Sequence, residues 1–150
     1  MILAIKQYLS TLKESKELDV ILPDLLLIMG IRPIIKPLVG VRQNGVDIAA
    51  VGKNPDTQIE TLFLFVIKCG DLGRKEWDSD EQSIRQSLNE IRDVYLLNNI
   101  SSEHKNLPVE IILVTGGNLQ QSILKQWIGY IKQNHNSTVN YSLWDGDRLA

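Results

Sequence analysis

The chain has 150 residues, 43% hydrophobic and 23% charged, with 16 Lys and Arg against 18 Asp and Glu for a net charge of −2. That length suits one domain with a real core, and the composition excludes a disordered chain. The single cysteine excludes an intrachain disulfide framework, and the charge excludes the basic excess of a dedicated nucleic-acid binder, though not a nuclease whose acidic site offsets its basic contacts.

Residues 1–16 place Ile2, Ile5, Leu9 and Leu12 at helical spacing. The N-terminus has no secretory signal pattern, and no apolar run approaches the roughly 18 residues of a membrane span. A cytoplasmic setting without a membrane partner is expected. A second helix is predicted from Ser15 to about Met29, with Val20, Ile21, Leu25, Ile28 and Met29 on one face. Pro23 predicts a break, a kink or a start within it, and Gly30 a stop.

Ile31 to Val39 reads as extended, and Pro33 and Pro37 confine it to a sheet edge. After a turn at Gly40 to Gly45, Val46 to Val51 is a short apolar strand interrupted only by Asp47. Gly52 to Thr57 is dense in turn formers and predicts a hairpin. Thr61 to Cys69 is almost continuously apolar until Lys68, as a central strand buried on both faces would be. Gly70 to Asp80 reads as a loop carrying Arg74, Lys75, Glu76 and Trp77.

A helix follows from about Glu81 to Leu97, with Ile84, Leu88, Ile91 and Tyr95 in one stripe. Val109 to Thr115 is a strand and Gly116-Gly117-Asn118 a turn. Leu119 to Gln133 is an amphipathic helix using Ile123, Leu124, Trp127, Ile128 and Ile131. Val139 to Trp144 is a last strand, and Asp145-Gly146-Asp147 turns into what reads as the start of another helix, as in a fragment of a longer protein. This order predicts an α/β fold with a mixed sheet flanked by helices.

Two ions stand out. Asp47 and Lys68 lie on neighbouring apolar strands, where an unpaired charge costs several kcal/mol. On spacing alone they form either a structural ion pair or part of a hydrolytic site. A hard cation such as Mg²⁺ takes carboxylates, backbone carbonyls and water, and a nearby Lys can orient the attacking water and stabilise a charged transition state. The Ile67 carbonyl is a further oxygen donor.

The order of elements, with Met29-Gly30, Gly45-Val46-Asp47-Ile48, Phe65-Val66-Ile67-Lys68, Val-Thr-Gly-Gly and the closing Trp144-Asp145-Gly146-Asp147-Arg148-Leu149, resembles a restriction-endonuclease-like domain. Within that superfamily it resembles the Mrr-type branch of the PD-(D/E)XK nucleases, from about Glu17 to Leu149. The resemblance implies a restriction-endonuclease-like mixed sheet, a metal ligand at Asp47 and an active-site lysine at Lys68. Acids of the first core helix complete some such sites, which makes Glu17, Asp19 and Asp24 candidates. Mg²⁺ or Mn²⁺ is the implied cofactor. The family expects Asp, Glu or Gln two residues before the lysine, and this chain has Val66. With period-two alternation residues 66 and 68 share a face, and Glu60 on that face is about 26 Å from Lys68. Either a carboxylate comes in from another element, with Glu76, Glu90 and the first-helix acids as donors, or metal binding is weakened, or the domain is no longer catalytic.

The function so implied is a metal-dependent DNA endonuclease, the effector of a restriction or antiphage defence protein. Its partner is DNA, and it acts as a homo-oligomer or clusters through a downstream region. The rival is a catalytically inactive domain of the same fold that binds nucleic acid or protein. Arg74 and Lys75, beside Trp77, are candidate phosphate contacts; a solvated loop is the plainer expectation for that stretch. His104 and His135 read as loop histidines, Cys69 as a buried thiol, and Gly116-Gly117 as a tight turn without the tail of a nucleotide-binding loop.

Overall fold

The computed structural model describes residues 15–35, 46–55, 57–68, 72–78, 83–96, 106–115, 117 and 119–145. The predicted helix over 1–14 lies outside them. The observed order is helix α1 (Ser15–Ile28), strands β1 (Ile31–Ile35), β2 (Ile48–Lys53) and β3 (Glu60–Lys68), and short helix α2 (Arg74–Trp77). Helix α3 (Ile84–Glu90) continues into a π-helical turn, Ile91–Tyr95, and β4 (Val109–Thr115), α4 (Gln121–Asn134) and β5 (Val139–Trp144) follow.

The strands form one sheet in the order β1-β2-β3-β4-β5. Strand β2 pairs antiparallel with both β1 and β3, while β3, β4 and β5 run parallel. Parallel neighbours need crossovers, and α2 with α3, then α4, supply them. This is the α/β mixed sheet flanked by helices that the sequence predicts.

Alternation along β3 splits the core in two. Leu62, Leu64 and Val66 join Trp77, Ile84, Leu88, Ile91, Tyr95, Ile123 and Trp127 on one face. Phe63, Phe65 and Ile67 join Leu22 and Leu26 of α1, with Ile112, Val114 and Trp144, on the other. Both faces of β3 are covered, which explains its unbroken apolar run. Phe65 meets Trp144 edge-on at 5.4 Å between ring centroids, a favoured aromatic geometry.

Three local expectations are corrected. Helix α1 runs through Pro23 instead of breaking or starting there. The ring removes one hydrogen bond to the preceding turn, but fully buried Leu22 and Leu26 on either side hold the helix against the sheet. The stretch after Lys68 contains helix α2, and Trp77 is no loop residue: it is buried, with ring centroids 6.5 Å from Trp127 and 6.0 Å from Tyr130. On α4, Ile123, Trp127 and Tyr130 face the core, whereas Leu124 and Ile128 are exposed.

The α1–β1 corner is made by glycine. Gly30 has φ +81°, the left-handed region that favours glycine at a helix end. Opposite it, a Cβ on Gly52 would lie 2.7 Å from the Ile31 Cα and 2.8 Å from the Gly30 carbonyl oxygen. Only a residue without a side chain lets β2 pass that corner.

Candidate active site

Parallel strands β3 and β4 end at Lys68 and Thr115, which pair in register. Strand β2 runs the opposite way, so its beginning lies at the same edge of the sheet. Asp47 stands just before it, where the strand bends. The fold therefore brings Asp47 and Lys68 to one edge.

The contact between the two strands there is specific. The Asp47 backbone N–H donates to the Phe65 carbonyl at 2.9 Å. Its carboxylate Oδ2 accepts the Ile67 N–H at 2.7 Å. In a strand, the N–H and C=O of one residue point to the same neighbour. The Ile67 carbonyl thus points toward the β2 side, as does the amide that Asp47 engages. A charge-assisted bond to a backbone amide is stronger than a neutral one, and here it holds a half-buried carboxylate against the residue preceding Lys68. Lys68, also half-buried, continues the Leu62, Leu64, Val66 series and falls on their face by alternation.

Val66 is fully buried in the cluster with Ala49, Leu64 and Leu113. From the Ile48–Phe65 pairing, Asp47 stands level with Val66. The position where the resembled family carries its second acid is here a core position.

The other acids separate by level along the sheet. Helix α1 turns back at Gly30 into β1 and so runs antiparallel to β1 and β3. Ile31 is level with Gly52 and Gly52 with Thr61, which leaves about 23 Å of strand from there to Lys68. Glu17 and Asp19 lie about 18–21 Å up the helix from Ile31, close to the Asp47–Lys68 edge. Their side chains are outside the described residues. Asp24 is only about 10 Å up the helix and solvent-exposed, which removes it as a candidate. Glu76 is engaged at the start of α2, where its Oε1 accepts the Gly73 N–H at 2.9 Å. Glu90 is exposed on the crossover helix.

Sequence reasoning quoted Asp145 only as part of the closing motif. Val114 pairs with Trp144, so half-buried Asp145 is level with Thr115 and Lys68. Two strand spacings, about 10 Å, separate it from Lys68, and three, about 14 Å, from Asp47. It is within reach of a lysine side chain but too far to share one cation with Asp47. Its signal in the sequence was an acid directly after an apolar strand.

Among the described residues, no three His, Cys, Asp or Glu side chains cluster as a metal site. One carboxylate and one backbone carbonyl aimed to the same side are donor types that suit a hard cation. Arg74 is exposed, and the Lys75 side chain lies outside the described residues, as do Cys69 and His104. His135 is exposed just after α4. Gly117 donates its N–H to the buried Thr115 Oγ1 at 3.1 Å, a turn closed by its own strand.

No family model matches the chain, and no curated protein matches it. Among solved structures it is similar to the MspJI restriction endonuclease in complex with a 27-mer oligonucleotide, at 15% identity and a TM-score of 0.47. The match covers 99% of this chain and 29% of that one. A likeness at that level assigns no residue a role, and the chain spans well under half of that protein's length.

Proposed function

We propose that this chain is a metal-dependent DNA endonuclease domain that hydrolyses phosphodiester bonds. The observation that carries the reading is the Asp47 carboxylate held on the Ile67 amide, one residue from Lys68, at the edge where β2 begins and β3 ends. Asp47 and the Ile67 carbonyl would hold Mg²⁺ or Mn²⁺, with Glu17 or Asp19 as the third ligand. A divalent cation bound there supplies charge to the scissile phosphate and lowers the pKa of its water.

Lys68 would position the attacking water and donate to the phosphate oxygen on which charge accumulates. The Ile67 N–H donated to Oδ2 helps keep the Asp47 carboxylate in place. Arg74 and Lys75 follow Lys68 closely and suit contacts to the DNA backbone, which favour Lys and Arg. With a net charge of −2, the domain would bind DNA weakly and gain from oligomerisation or clustering, which raises effective concentration. An effector role in restriction or antiphage defence fits that behaviour. A second reading, an inactive domain of the same fold that binds nucleic acid or protein, is favoured by one observation: the buried apolar Val66.

Nicking of supercoiled plasmid in Mg²⁺ or Mn²⁺, by wild type, Asp47→Asn and Lys68→Ala, tests the proposal. Metal-dependent nicking lost in both variants, with Mn²⁺ binding by calorimetry lost only in the first, is the expected result. Nicking that survives both substitutions removes the assigned site. Mn²⁺ binding without nicking, even with the protein clustered on beads, supports the second reading.

A further inference from the structure

Away from the strand edge, an open groove of about 440 Å³ lies among α2, α3 and α4. Its α4 wall is the stripe Gln126, Gly129, Tyr130 and Gln133, faced by Trp77 and Arg85. Gln126 and Gln133 are seven residues apart, about 10 Å along the helix, and both are exposed. Between them, a Cβ on Gly129 would meet nothing within 4 Å.

A glycine inside a helix costs about 1 kcal/mol relative to alanine. Here no close contact and no positive φ requires it, and the space above it is open.

The rest of the groove is held open by polar contacts that lie beside it. The Tyr130 hydroxyl donates to Asn89 Oδ1 at 2.9 Å, and Arg92 donates to Asn134 Oδ1 at 2.7 Å. These bonds tie α3 to α4. At the rim, Arg85 donates to Asp78 Oδ2 at 2.9 Å while Gln86 holds Asp78 Oδ1. The Arg85 guanidinium is thereby already paired with a carboxylate, which suits stacking on a flat ring more than binding a free anion.

We infer that this groove is a binding site for an adenine-type nucleobase. A flat heterocycle fits over Gly129, and the side-chain amide of glutamine presents a donor and an acceptor side by side, the pattern complementary to the adenine edge. Unstacked bases are held in this way, between amide contacts and an arginine or aromatic plane. The base could belong to a free nucleotide or to an unpaired position in a strand. The site is independent of Asp47 and Lys68.

The test is titration of the full chain with AMP, with a short oligo(dA) and with CMP, followed by calorimetry and by tryptophan fluorescence. The same titrations are made on Gly129→Leu and Gln126→Leu, with thermal melting of each. Gly129→Leu fills the groove and improves helix propensity, so it should melt no lower than wild type while losing affinity at least tenfold. Saturable binding of AMP and oligo(dA) assigns the free base, and binding of oligo(dA) alone assigns the strand; each supports the site. Absence of saturable binding by both, equal binding of CMP, or unchanged affinity in a folded Gly129→Leu overturns it.

Discussion

Replacing Asp47 separates its structural work from its proposed chemistry. In Asp47→Ala the Ile67 N–H loses the 2.7 Å bond to Oδ2. A hydrogen bond to a charged group contributes about 1.5–3 kcal/mol. Asp47 is half-buried, so water replaces part of it, and the expected loss is about 1–2 kcal/mol. For a chain of this size each kcal/mol shifts the melting temperature by about 2–4 °C, which gives a fall of about 2–8 °C. In Asp47→Asn the amide oxygen still accepts from Ile67 but without the charge, and the loss should be about 0.5–1 kcal/mol. Thermal and urea unfolding in the presence of a chelator measure the difference without any bound cation. Equal stability of wild type and Asp47→Ala, or equal destabilisation by Ala and Asn, would refute the bond's structural role. If the order holds, Asp47→Asn becomes the cleaner probe of chemistry, because its fold is nearly intact while its amide is a poor ligand for a hard cation.

Other perturbations probe other parts of the fold. Gly52→Ala should cost about 1–3 kcal/mol in urea unfolding, since its Cβ would meet Ile31 and Gly30 backbone below 3 Å. Phe65→Ala should cost about 3–5 kcal/mol by the same measurement, because it empties a fully buried site against Trp144. The Asp78 carboxyl is held below its ordinary 3.8 by hydrogen bonds from Arg85 and then Gln86. A depressed carboxylate stabilises the fold above that ordinary value and ceases to as pH falls through its lowered one. An NMR titration should therefore place its midpoint below 3.8, and Arg85→Gln should move it upward.

What the sequence disclosed and what it hid follow from the range of the forces. Strand β3 was legible because burial on both faces leaves an unbroken apolar run, and the edge position of β1 because Pro33 cannot donate to a ladder. Helix α2 was hidden because four residues are too few to show a period. The burial of Trp77 depends on Trp127 and Tyr130, some fifty residues further on, so no local window contains the cause. Helical spacing on α4 could not show that Leu124 and Ile128 stay exposed, because periodicity gives a stripe and not the width of its partner. At the site, an Asp in an apolar strand was visible as an anomaly. That its carboxylate accepts a backbone amide of the next strand was not, because that bond depends on the bend before β2.

Val66 decides how the site is to be understood. Had the chain merely lost a carboxylate, residue 66 would face solvent or the groove beside Lys68, and restoring Glu would be easily tolerated. Instead Val66 has no exposed surface and belongs to the cluster covered by α2, α3 and α4. A glutamate there would lose its hydration without a partner, at a cost of several kcal/mol or by taking up a proton. Val66→Glu should therefore lower stability by about 3 kcal/mol or more, with the loss growing as pH rises through the carboxyl's raised pKa. Urea unfolding at pH 5 and pH 8 measures both. A variant as stable as wild type at pH 8 would show that the face can open at residue 66. If the loss is found, residue 66 is closed to an acid, and under the proposed reading any acid joining Asp47 would come from another element, such as the N-terminal turns of α1, which carry Glu17 and Asp19 and lie at that level of the sheet.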